Sequence, residues 1–134
     1  LRPSLLQPHL STLSDNSHYA YPQRFFEIGP VFLDDQTQST GVKEQQHLGI
    51  IISGSNTGFS DLQSLIAAIG DRLQRPIVFE SSDHPAMIDG RTTSLIINRH
   101  EIGVIGELQP SILSDYDIDQ PTAFLEIALE KFFR

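Results

Sequence analysis

The most constraining feature is a series of short runs rich in β-branched, aliphatic and aromatic residues, placed close together along the chain. TTSLIIN (92–98) is separated from EIGVIGELQ (101–109) only by the turn around NRHE, and AFLEIAL (123–129) follows. Parallel neighbours need a crossover of a dozen or more residues, so a turn this short dictates an antiparallel hairpin. Two earlier runs, Arg24 to Leu33 and HLGIIISG (47–54), flank the polar stretch DDQTQSTGVKEQQ (34–46), which reads as a long loop joining an antiparallel pair. IVFES (77–81) adds a short strand.

Helical periodicity is confined to a few places. Leucines recur at helix-like spacing over 4–15, with Pro8 near the front where a first turn tolerates it. Over 59–73, Phe59, Leu62, Leu65, Ile66, Ile69 and Leu73 fall on one face, and Ser60 with Gln63 has the spacing of a capping box. Pro76 stops that helix, and Pro110 opens a short one through SILSDY. The expected architecture is α+β: a mainly antiparallel sheet flanked by helices, formed by residues 1–134 as a single domain.

Composition narrows the function. With 39% hydrophobic residues in 134, one core can form without staples. Nine basic and 17 acidic side chains leave a net charge of −8, which repels a phosphate backbone. The absence of cysteine excludes disulfides and thiolate chemistry within these residues and suits a reducing cytoplasm. No apolar run is long enough for a membrane helix, so the expectation is a soluble, cytoplasmic protein. The first residue is Leu1 and the one methionine is Met87, which suggests a piece of something longer.

No local motif builds a catalytic or metal site. SGSNTG (53–58) precedes the best helix and offers N–H groups to an anion, but Phe59 stands where a P-loop requires lysine, so a turn is the better account. His9, His18, His47, His84 and His100 include no pair at i, i+4. Asp34 and Asp35, and the alternating Asp115, Asp117 and Asp119, match no calcium loop and read as solvated loop charge. Glu27, Glu107 and Glu126 lie on strands, where pointing to solvent is the commoner outcome.

Longer segments carry a resemblance. LRPSLLQPHL followed by YPQRFFEIGPVF resembles the front of a class II aminoacyl-tRNA synthetase core. LRPSLL, RFFEIGPVF, FSDLQSLIAAI, HPAMIDGRTTSLIINRHEIGVIGELQP and AFLEIALEKF together are similar to the catalytic-like module of the phenylalanyl-tRNA synthetase β subunit. The resemblance places leucine (Leu33) where the class has its ATP-gripping arginine, Asp35 at the partner glutamate, and Ser4 at the glutamate of the LRPE strand. GVIGELQPSIL resembles a worn third motif whose arginine falls at Gln109. Leucine supplies neither the charge nor the forked donors that hold a phosphate.

The resemblance therefore implies a degenerate copy of the fold, with no catalytic, cofactor-binding or metal-binding residues in this piece. It implies architectural partnership with a catalytic α subunit in an (αβ)₂ heterotetramer. ATP with magnesium, phenylalanine and tRNA would be substrates of the whole assembly, with tRNA engaged through other parts. Two rival readings stand beside it. One is a ligand-binding or active domain in which Arg24, Arg91 or Arg99 replaces the lost arginine; the other is a tRNA-contacting surface, which the charge of −8 opposes.

Overall fold

The computed structural model describes residues 2–55 and 58–133. Its centre is a six-stranded antiparallel sheet of β1 (Gln23–Asp34), β2 (Val42–Ser53), β3 (Val78–Ser81), β4 (Met87–Ile97), β5 (His100–Leu108) and β6 (Thr122–Ala128), in the order β1-β2-β6-β5-β4-β3. The expected α+β architecture is what forms. β6 is buried at every position, because it lies between β2 and β5 and both of its faces are covered. Helix α1 (Leu6–Asp15) and the short α3 (Pro110–Asp115) cover one face. There Leu5, Leu10, Leu13, Ile51, Met87 and Phe124 form a core. On the other face α2 (Phe59–Arg72) and α4 (Leu129–Phe132) pack Leu62, Ile66 and Phe132 against Ile52, Ile105 and Leu125.

The β4–β5 hairpin turns through Asn98 and Arg99, with φ of 50° and 69°. Two consecutive left-handed residues are what a right-twisted two-residue hairpin requires. Pro110 sits in the first turn of α3, as expected.

Several expectations need correction. Strand β2 begins at Val42, so Val42–Gln46 are not loop; β1 and β2 pair over twelve positions, from Gln23–Ser53 to Asp34–Val42. This arm reads as loop in the sequence because only one of its faces meets the core, and the polar residues lie on a ribbon that projects past it. β4 likewise starts at Met87, before Thr92, and Leu129 belongs to α4 rather than to a strand. The Ser60–Gln63 capping box does not form. Gly58 is the N-cap, and its N–H donates to the Asp61 carboxylate at 3.0 Å, two residues out of step with the expected pair. Leu65 of α2 and its C-cap Leu73 stay 46% and 48% exposed, although they share the apolar periodicity of Leu62 and Ile66.

At Gly103 the backbones of β5 and β6 approach so closely that an added Cβ would collide with the Glu126 carbonyl oxygen. The Gly103→Ala variant is therefore expected to lose about 1–3 kcal/mol of stability through backbone displacement. A denaturation midpoint unchanged from the parent would contradict this close packing.

Candidate functional site

β2 and β6 bring one residue each, His47 and Glu126, to the sheet face that α1 covers. In the register Gly49 stands opposite Glu126, and α1 begins directly above it. A Cβ at Gly49 would press on Leu5 and His9 at 3.1 Å, so glycine lets the helix descend to the sheet. The Leu5 N–H thereby reaches Glu126 Oε2 at 3.2 Å, and the Ser4 hydroxyl donates to Oε1 at 2.6 Å. His47 Nδ1 donates to Oε2 at 2.5 Å.

The chain of bonds continues outward. The Gln45 amide nitrogen donates to Glu130 at 2.8 Å, which turns its oxygen toward His47 Nε2 at 2.7 Å. Lys43 closes the series with an ion pair to Glu130 at 3.8 Å. Burial pushes the Glu126 carboxyl toward its neutral form, but the bonds from His47, Ser4 and Leu5 and the charge of His47 outweigh it and hold its pKa below the ordinary value. A carboxylate saturated by three donors is a poor base; it acts as a clamp joining α1, β2 and β6.

Glu126 and His47 form the floor of a cleft of about 390 Å³ that also contains Ser4, Leu33, Lys131 and, on its far wall, Asp83, His84 and Glu101. Leu33 is half-buried and packs against the α1 core. Asp83 and Glu101 stand with Lys131, Glu126 is already paired with His47, and no arginine lines the cleft among the described residues. His84 adds no cation: burial lowers its pKa, the Glu126 charge only partly opposes this, and its Nδ1 accepts the Ala86 N–H at 3.1 Å.

Of the positions singled out in the sequence, Leu33 and Ser4 meet here with His47, His84 and Glu126. Asp35 is bound into a turn by the Thr37 N–H and hydroxyl, at 2.9 and 2.6 Å. Gln109 is the N-cap of α3, and its amide donates to the Met87 carbonyl at 2.9 Å, outside the cleft. The strand-to-helix unit bordering the cleft is instead β6–α4, which delivers Lys131. Arg24 is exposed on β1, Arg91 pairs with Glu107 at 2.7 Å, and Arg99 occupies the hairpin turn; none of the three lines the cleft. Glu27 pairs with Arg2 at 3.0 Å. Glu126, expected toward solvent, is 8% exposed. The available signal was its setting, a lone carboxylate in AFLEIAL with apolar residues on both sides. The anion cradle at SGSNTG includes Asn56 and Thr57, outside the described residues. Among the described residues no helix is long and apolar enough to cross a membrane.

This antiparallel sheet with its flanking helices is the class II aminoacyl-tRNA synthetase fold. Two structures of pyrrolysyl-tRNA synthetase from Desulfitobacterium hafniense superpose on 99% of the chain with TM-scores of 0.77 and 0.74, over 49% and 48% of their own length. Their identity to it is 19%, so this likeness defines the fold alone. Residues 1–129 match the family described as the phenylalanyl tRNA synthetase beta chain CLM domain, and the chain belongs to that family. It is 36% identical to a phenylalanine–tRNA ligase beta subunit of Natronomonas pharaonis, over 96% of this chain and 22% of the relative. With those of Methanocella arvoryzae and Thermococcus gammatolerans it shares 35% and 33%, over 96% and 99% of this chain and 24% and 23% of theirs. The chain thus spans about a quarter of the length of these relatives.

Because the Glu126 pKa is depressed in the fold, the stability it contributes is present above the unfolded glutamate value, about 4.3. That stability is lost as pH falls through the lower folded value. Glu126→Gln is expected to lower stability at pH 7 by about 1–3 kcal/mol and to flatten the acid side of the stability curve. Parallel acid limbs for the two proteins would show that the clamp carries no charge.

Proposed function

We propose that this chain is a non-catalytic architectural module, a single domain of a longer phenylalanine–tRNA ligase beta subunit. Its role is to present a class II fold to a catalytic alpha subunit in an (αβ)₂ assembly. ATP with magnesium, phenylalanine and tRNA are then substrates of the assembly, with tRNA engaged by other parts of it, in the cytoplasm. The observation that carries this reading is the cleft: leucine at the position where the class has its phosphate-gripping arginine, with Asp83 and Glu101 beside Lys131 and the one other basic group near Glu126, His47, already bonded to it.

An ATP–magnesium complex does not fit these residues. A polyphosphate placed here would face three carboxylates, and stabilising the charge that develops during adenylate formation needs preorganised donors and cations. The central carboxylate is already saturated by Ser4, Leu5 and His47. The scatter of Arg24, Arg91 and Arg99 supports the architectural reading over a re-equipped active site, and the absence of arginine along the cleft among the described residues weighs against a phosphate-binding role.

The chain alone should therefore give no phenylalanine-dependent exchange of pyrophosphate into ATP. Exchange above the enzyme-free background, abolished by Leu33→Asp or Lys131→Ala, would identify a working site.

A further inference from the structure

The basic side chains are distributed unevenly over this acidic molecule. Arg2, Lys43 and Arg91 each reach a carboxylate, Glu27 at 3.0 Å, Glu130 at 3.8 Å and Glu107 at 2.7 Å. Arg72, Arg99 and Lys131 are exposed and reach none among the described residues, although acidic side chains outnumber basic ones 17 to nine.

These three stand on elements that meet at one end of the sheet. Lys131 of α4 lines a cavity of about 530 Å³ together with Ile97, Asn98, His100 and Glu101 of the β4–β5 hairpin. Arg99 occupies the turn between Asn98 and His100. The chain leaving α2 is tied to the same place: Arg75 Nη2 donates to the carbonyl of Phe133, the C-cap of α4, at 2.8 Å, and Arg72 lies in the last turn of α2. The neighbouring carboxylates are engaged elsewhere. Glu101 accepts the Ser94 hydroxyl at 2.9 Å, and Glu130 accepts the Gln45 amide and pairs with Lys43.

At physiological ionic strength charges are screened beyond roughly 8 Å, so the sign of a surface is set locally and not by the net charge of −8. This end therefore attracts anions. A long polyanion such as RNA extends over several screening lengths and meets the acidic remainder of the molecule, whereas a short acidic segment fits within the basic end.

We propose that this end receives a short acidic polypeptide segment of a partner chain, its carboxylates taken by Arg99 and Lys131 around the hairpin cavity. Arginine offers a carboxylate two parallel donors and lysine a single point charge, so the pair both fixes and attracts the segment. The inference rests on reading the chain as one part of a larger assembly.

Titration of a labelled glutamate hexapeptide with the full-length parent subunit, followed by fluorescence anisotropy, tests this. Binding should weaken as salt is added. Arg99→Gln with Lys131→Gln should lower the affinity about ten-fold, the loss of roughly 1.4 kcal/mol. Arg24→Gln, which removes an exposed arginine with no ion pair from β1, should leave it unchanged. Arg99→Gln alone should lower it in the same direction, which keeps the test independent of any disturbance to α4. Absence of binding, or an equal loss from Arg24→Gln, overturns the proposal. Displacement of the peptide by an equal concentration of inorganic phosphate overturns it and leaves a general anion site. Displacement by tRNA, with tRNA binding lost in the same two variants, overturns it and assigns the end to RNA. None of these outcomes alters the expected absence of pyrophosphate exchange, so the architectural reading is tested separately.

Discussion

The buried carboxylate of Glu126 holds the fold together at the point where its layers meet. It sits on the one strand whose seven positions are all buried, and its three donors come from the loop before α1, the first residue of that helix turn, and β2. A buried carboxylate is tolerated only when paired and hydrogen-bonded. Removing any donor exposes the remaining charge to that penalty, so the start of α1, the β2 register and the β6 register specify one another. Gly49 makes this possible, because its missing side chain lets Leu5 come within hydrogen-bonding reach.

The same arrangement supports the proposal of a cleft that keeps its shape without the chemistry of its class. Polar groups remain on the floor, but they are directed at one another. Ser4 donates to Glu126 while its oxygen accepts the Leu6 N–H at 3.0 Å, and His47 spends both ring nitrogens on Glu126 and Gln45. Leu33 extends the apolar core under the rim. Asp83 and Glu101 are left beside Lys131, a lining that supports the proposed architectural role over phosphate binding.

Much of the sheet was legible because hydrophobic period and turn chemistry are local. The β4–β5 hairpin, the α2 helix and the Pro110 start of α3 each depend on residues within a few positions of one another. The clamp was not legible, since the partners of Glu126 are 79 to 122 residues away in sequence. Its strand pattern gave alternating faces but not which face a neighbour would cover. The polar start of β2 was hidden for a related reason: pairing with β1 makes Val42–Gln46 a strand although only Gln45 among them is buried. The resemblance assigned Leu33 and Ser4 to the site, and both line the cleft, whereas Gln109 lies outside it at the N-cap of α3. Only the strand order, with β6 beside β2, shows that Lys131 borders the cleft.

The central claim is that the cleft is closed to the class's reaction intermediate by its own internal bonding. The most direct measurement is a calorimetric titration of the chain with a non-hydrolysable phenylalanyl-adenylate analogue. No saturable heat at millimolar ligand is the expected result; one-site saturable binding, lost on substitution of Lys131 or His47, overturns the proposal of an emptied cleft.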